Sequence, residues 1–249
     1  MKIGIAILCT NGYFPLGIRL VKRFNYFYKG ENEIRFILFT DTNPADYLPN
    51  FINYEWRELR NKNWVEGTNS KFTSILSLEN SDLDYVFYLD ADTNVDKDFG
   101  DWFIGDLVAG QHYADESYML NDKAYERNPK SMAYIPKDTK LPQMYYYGAF
   151  WGGTKERIME FCRTMIKWQK ADKEWGFEPV WNDESYLQRY MHYNPPTKVI
   201  LCKDFPFLVS DKGGMGETRN MNLDIEHLLI DLREHKEKLI DIKHGKVVI

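Results

Sequence analysis

Apolar and polar positions alternate along the first half of this chain in blocks of two kinds. Lys2–Cys9, Ile34–Thr40 (IRFILFT), Ile52–Glu58 and Tyr85–Leu89 (YVFYL) are short runs rich in β-branched and aromatic residues. Between them, Phe14–Tyr28 places Ile18, Val21, Phe24 and Tyr28 near helical spacing, and Asn69–Glu79 suits a shorter helix. Strand signals separated by helix signals predict a mainly parallel α/β sheet. Nearly continuous apolar runs are what strands covered on both faces require.

The second half is less regular. Asp101–Pro142 is polar and predicts loop. Tyr145–Gly153 (YYYGAFWGG) is aromatic and ends in two glycines. Ile158, Phe161, Cys162, Met165 and Ile166 fall at i, i+3, i+4, i+7 and i+8, one face of a helix. Asp183–Tyr193 predicts another helix, stopped by Pro195-Pro196. Thr197–Leu201 is strand-like, and Ser210–Asn222 (SDKGGMGETRNMN) predicts a mobile loop. Ile225, Leu228, Leu229 and Leu232 predict an amphipathic helix in a C-terminal extension over residues 223–249, packed on a domain of residues 1–222. No linker divides the chain, so a single domain is expected.

Composition narrows the choices. Lys+Arg 32 against Asp+Glu 37 gives a formal charge of −5, without the basic surplus of a nucleic-acid binder. No apolar run approaches the ~18 residues that span a bilayer, so no transmembrane anchor is expected. Met1-Lys2-Ile3-Gly4 enters a strand at once, with no leader pattern behind it. Cys9, Cys162 and Cys202 are odd in number and far apart, which fits free thiols in a reducing compartment; a cytoplasmic location is expected. Aromatics reach 16%. A filled core explains that, and so does a surface that stacks on sugars.

Four local patterns carry candidate chemistry. Asp90-Ala91-Asp92-Thr93 follows a buried strand, where both carboxylates can leave the carboxyl end of the sheet, the ligand-binding end of open α/β folds. Two hard oxygen ligands suit Mn²⁺ or Mg²⁺ bridged to substrate phosphates. The same residues fit a strand-ending turn. They also fit a phosphatase of the haloacid dehalogenase type, with Asp90 as nucleophile and Asp92 as general acid/base. That motif usually closes a first strand, and no later G-D-x-x-x-D pair is found. Trp181-Asn182-Asp183-Glu184-Ser185 sets two carboxylates among aromatics. Asp183 can cap the following helix, whereas Glu184 suits stabilisation of, or attack at, an anomeric carbon. In Tyr145–Gly153 the glycines allow close backbone approach, to a ligand or within a buried strand. Lys212 and Arg219 lie in a glycine-rich loop able to close over a diphosphate or simply to be solvated.

Together, in this order, these segments resemble glycosyltransferase family 6. Leu8-Cys9-Thr-Asn-Gly-Tyr13 resembles the segment that holds uridine. Asp90-Ala91-Asp92 matches its D-x-D. Tyr125-Glu126-Arg127 with Ala133-Tyr134-Ile135-Pro136 resembles its Y-E-R-R…A-Y-I-P stretch. Tyr145–Thr154, Trp181–Leu187, Asn194-Pro-Pro-Thr-Lys-Val and Arg219-Asn220 resemble four further segments. The resemblance implies a GT-A fold and a retaining transfer of galactose or N-acetylgalactosamine. The donor would be a UDP-sugar, and the acceptor site the 3-hydroxyl of a glycan bearing terminal galactose. It implies Asp90 and Asp92 as ligands of Mn²⁺ or Mg²⁺, Glu184 as the carboxylate beneath the anomeric carbon and Asp183 as the group orienting the sugar. It further implies Cys9, Tyr13, Lys71, Ala91, Lys212 and Arg219 as donor contacts, and His112, Trp181 and Asn182 as acceptor contacts. Tyr147, Gly148 and Ala149 stand where the family selects its donor; bulky Tyr147 and Ala149 tilt the expectation to galactose. Asn182 replaces the family's His, and Asn128 its second Arg. A carbohydrate-binding protein without activity would explain the aromatics, but neither the carboxylate pair nor the cationic loop.

Overall fold

The computed structural model describes residues 1–61, 64–112, 124–138, 144–201 and 207–209. Seven strands form one mixed, mainly parallel sheet in the order β3-β2-β1-β4-β7-β6-β8. They are β1 (Lys2–Leu8), β2 (Glu33–Thr40), β3 (Tyr54–Glu58), β4 (Tyr85–Asp90), β6 (Leu107–Gln111), β7 (Tyr146–Thr154) and β8 (Lys198–Ile200). A separate pair joins β5 (Thr93–Val95) to β9 (Phe207–Val209), antiparallel. The helices are α1 (Phe14–Phe27), α2 (Trp64–Leu76), α3 (Lys155–Glu174) and α4 (Asn182–Tyr193). This is the expected α/β class, and the architecture is consistent with a GT-A fold.

The strands that were plain in the sequence occupy the middle of the sheet. Ile3, Ile5, Ala6 and Ile7 of β1 are fully buried, as are Val86, Phe87 and Leu89 of β4. β3 lies at one edge, starts at Tyr54 instead of Ile52, and buries none of its residues fully. Its charged residues Glu55, Arg57 and Glu58 suit an edge, where charge discourages pairing with another chain. α2 begins earlier than its apolar spacing predicted and ends at Leu76; Ser77, Leu78 and Glu79 continue as tight turns.

One element corrects the sequence reading. Leu107–Gln111 lies within the stretch expected to be loop, yet it forms β6 between β7 and β8. It runs antiparallel to β7, with Leu107 opposite Gly153 and Val108 opposite Gly152, and parallel to β8. Gly152 explains the close fit of β7. A Cβ there would stand 2.2 Å from a ring carbon of Phe87. The glycine pair therefore serves packing and not approach to a ligand.

The chain divides into two compact units. One comprises residues 1–3, 68–88 and 103–205, the other residues 4–67, 89–102 and 206–249. In the first, Phe72, Trp151, Phe161 and Tyr190 form an aromatic core, with Trp151 and Phe161 centroids 4.9 Å apart. In the second, Phe24 packs edge-on against Phe36 and Phe99. Together with the other buried rings, these interior clusters account for much of the aromatic content. Trp175 and Trp181 stay exposed. The expected loop at Ser210–Asn222 and the helix over residues 223–249 lie outside the described residues. Among the described residues, no helix is long and apolar enough to cross a membrane.

Candidate active site

The first unit gathers a carboxylate cluster around the start of α4. Asp183 and Glu184 fall in its first turn, where the unpaired backbone amides and the helix dipole favour negative charge. The residue before the helix, Trp181, makes no side-chain cap, and its amide donates to Ser185 Oγ at 3.0 Å. Asn182 takes φ 46°, a left-handed backbone that asparagine tolerates better than most side chains. The expected capping role of Asp183 is not what is found. Its Oδ2 accepts from Lys71 Nζ of α2 at 2.6 Å, and both side chains are buried. The ammonium also stands 4.5 Å from the centre of the Tyr88 ring. A buried pair of this kind is strongly destabilised by loss of one partner, because the other charge is stranded.

Glu184 is held against β7. The Gly148 amide donates to its Oε2 at 2.8 Å, and a Cβ at position 148 would lie 2.6 Å from that oxygen. Glycine is needed at 148 for this contact. Burial pushes the Glu184 carboxyl up to about 7, and the Asp183 charge adds to the rise. The Gly148 amide, the Tyr145 hydroxyl and the Lys71 charge hold it down. A carboxyl balanced near neutral pH and carried by fixed donors is the arrangement expected of a reacting or charge-stabilising group.

Gln188 completes the grip, and sequence reasoning missed it. One turn after Glu184, it accepts from the Tyr146 amide at 3.1 Å and donates to the Tyr146 carbonyl at 2.6 Å. Its i+4 spacing from Glu184, with an amide able to pair both ways, was the available signal. His112 donates its amide to the Tyr145 carbonyl at 2.8 Å and meets the Tyr147 ring edge-on at 5.2 Å. Tyr147 and Ala149 are buried, whereas Trp181 is 44% exposed. Glu126 and Arg127 prove structural. Glu126 accepts from the Val180 amide at 3.0 Å, and Arg127 donates to the carbonyls of Ile135 and Pro136. Glu126 thus steadies the segment that enters α4. Asn128, which stands where the family has its second Arg, donates its backbone amide to Glu126 Oε1 at 2.7 Å.

The second unit holds the Asp90–Asp92 pair. Asp90 closes β4, Ala91 is buried, and Asp92 precedes β5; both carboxylates are half-buried. Among the described residues, no group of three or more His, Cys, Asp or Glu side chains is placed to hold a metal ion. A divalent ion at this pair would keep positions open for phosphate oxygens and water, which fits Mn²⁺ or Mg²⁺. Tyr13 ends a 3₁₀ turn (Asn11–Tyr13) just before α1 and is half-exposed. Cys9 is fully buried; a Cβ on Gly17 would meet its Sγ at 2.6 Å, and burial pushes the thiol up to about 12. Its side chain therefore packs under α1 instead of offering a ligand contact. Lys212 and Arg219 lie outside the described residues.

α1 adds a residue that the apolar pattern concealed. Arg19 sits on the buried face between Ile18 and Leu20, only 3% exposed. Burial lowers its guanidinium to about 10, helped by Arg23 and opposed by the Asp92 charge. Its only advance signal was a basic residue in an otherwise apolar stripe.

Similarity to known proteins places the chain in a family. Residues 61–208, more than half of the chain, match the model of glycosyltransferase family 6, and the chain belongs to that family. It is similar to the rat histo-blood group ABO system transferase 1, 33% identical over 119 residues covering 48% of this chain and 34% of the relative. It is also similar to the human globoside α-1,3-N-acetylgalactosaminyltransferase 1, 27% identical over 80% of this chain and 59% of that protein. The mouse N-acetyllactosaminide α-1,3-galactosyltransferase-like 1 is 26% identical over 80% and 64% respectively. The chain thus spans between about a third and two thirds of these relatives. Family membership displaces the phosphatase reading of Asp90–Thr93.

Proposed function

We propose that this glycosyltransferase moves galactose or N-acetylgalactosamine from a UDP-sugar to the 3-hydroxyl of a galactose-terminated glycan, retaining the α configuration. The observation that carries the reading is Glu184: a half-buried carboxyl near neutrality, fixed by the Gly148 amide beside the Lys71–Asp183 pair. A group so held stabilises positive charge at an anomeric carbon without reorganising as the charge develops.

In this reading the bond from C1 to the diphosphate oxygen breaks with its electron pair leaving on UDP. The acceptor 3-oxygen forms the new bond to C1, and its proton passes to the departing phosphate. Glu184 faces the developing charge on C1. Asp183, fixed by Lys71, orients the sugar hydroxyls. A divalent ion held by Asp90 and Asp92 would neutralise charge gathering on the diphosphate. Tyr147 and Ala149 border the sugar's C2 substituent, and the bulk of Tyr147 supports galactose over its acetamido analogue. Trp181, Asn182 and His112 serve the acceptor, where an exposed indole offers a stacking face to a sugar ring. Lys212 and Arg219 contact the diphosphate.

The test is UDP release from UDP-galactose and UDP-N-acetylgalactosamine, with and without Mn²⁺, using lactose and 2′-fucosyllactose as acceptors. Metal-dependent turnover of one donor is expected. UDP–Mn²⁺ binding without turnover would discard the acceptor class, and neither binding nor turnover would discard the donor.

A further inference from the structure

Among the described residues, the buried charged side chains are Arg19, Lys71, Glu126, Asp172 and Asp183. Four of them are matched. Lys71 and Asp183 hold each other, Glu126 accepts two backbone amides, and Asp172 accepts from Ser131, Met132 and Tyr186. Arg19 differs: its Nε and Nη2 are buried and have no hydrogen-bond partner. The carboxylate whose charge acts on it is Asp92. α1 packs on β5, which starts at Thr93, and the fully buried Thr93 Oγ1 is also without a partner. Arg23, one turn further along α1, is engaged instead, donating to the Val95 carbonyl at 2.7 Å.

An unmatched buried guanidinium costs stability, and an apolar side chain of its size is often better tolerated there. Leu16, one turn earlier on the same helix face, and Leu20, next in the chain, are both fully buried. A charge kept there at such a cost is matched to the neighbouring Asp92.

We infer that Arg19 is a built-in counter-charge to the Asp90–Asp92 pair, which makes divalent-cation binding there conditional on a diphosphate. This rests on the reading of that pair as the cation site. The Arg19 charge, with Arg23 one turn away, offsets part of the negative charge at Asp92, so a divalent ion alone is held weakly. Once the ion is present, its charge and that of Arg19 together draw a diphosphate. With a neutral residue at 19, the ion balances the carboxylates alone. It then binds more readily by itself and attracts the diphosphate less.

The experiment is Mn²⁺ binding to the full chain, followed by the electron paramagnetic resonance of free Mn²⁺, with and without UDP. Wild type, Arg19→Met, Arg19→Lys and Arg19→Gln are compared, with melting temperature alongside. Arg19→Met is expected to bind Mn²⁺ alone about tenfold more tightly and to lose about tenfold of the tightening that UDP causes, the scale of outer-shell effects on metal sites. Arg19→Lys should keep wild-type behaviour, and Arg19→Met should melt at or above wild type. Unchanged or weaker Mn²⁺ binding in Arg19→Met overturns the inference, and a large fall in melting temperature with unchanged binding makes Arg19 structural. If Arg19→Met does not fold, Arg19→Gln, neutral but polar, decides between the same outcomes. No Mn²⁺ binding by wild type in either condition removes the cation site itself. Binding by wild type with identical variants removes only the role of Arg19.

Discussion

The carboxylates of α4 and those that close β4 are solved in opposite ways. Around Asp183 and Glu184, donors and charges are already matched: Lys71 on Asp183, the Gly148 amide on Glu184, and Gln188 clamping Tyr146 from the next turn. Around Asp90 and Asp92, the neighbouring Arg19 and Thr93 keep buried polar atoms unpaired. The first region is organised before any ligand arrives. The second has the unmet polar capacity of a place that a ligand completes. Chemistry at C1 needs the former, because donors fixed in advance need not reorganise during reaction. Binding a charged, exchangeable group suits the latter.

Four changes test that contrast, the largest first. Asp92→Asn should remove metal-dependent UDP binding and lower turnover by about a thousandfold, seen as lost Mn²⁺–UDP thermal stabilisation together with lost UDP release. Gly148→Ala should lower kcat by about a hundredfold while UDP binding holds, because its Cβ displaces the Glu184 carboxylate from a precise position. Gln188→Leu should cost about 1–3 kcal/mol in urea unfolding through two lost bonds to Tyr146, with a smaller loss of kcat. The smallest change is Ala149→Gly, expected to shift the ratio of UDP-galactose to UDP-N-acetylgalactosamine use toward the latter; an unchanged ratio would exclude position 149 as the selector.

pH separates the regions without mutation. Glu184 is raised from its ordinary 4.5 to about 7, mainly by burial. Its carboxylate form is the working one, so kcat should climb between about pH 6 and 8. Stability runs the other way. Between 4.5 and 7 the folded state keeps a proton that the unfolded state has released, so this contribution is full below 4.5 and lost as pH rises through 7. Glu184→Gln should therefore melt above wild type at pH 8, a difference that calorimetry at pH 5 and pH 8 would resolve.

How much of this was legible in the sequence follows from where each signal came from. β1, β2 and β4 were plain because buried central strands write long apolar runs. β6 was missed because Leu107-Val-Ala-Gly is short, sits in polar surroundings and takes its place by pairing with β7 and β8. Glu184 stood out beside Asp183, but its carrier did not. The double glycine at 152–153 drew attention, whereas the glycine that matters to the carboxylate is Gly148, whose role depends on α4 lying against β7. Asp183 matched a cap pattern, and only a residue 112 positions away, Lys71, reveals its use. Arg19 was hidden because a buried arginine in an apolar stripe looks like an interruption until its partners are counted.

The central claim is that Glu184 acts on the reaction and not on donor binding. The most direct measurement pairs kcat with UDP–Mn²⁺ affinity for Glu184→Gln. The account predicts turnover lower by about a thousandfold with UDP affinity within about twofold of wild type. Wild-type turnover in that variant, or a loss of UDP affinity that accounts for the whole defect, would contradict it.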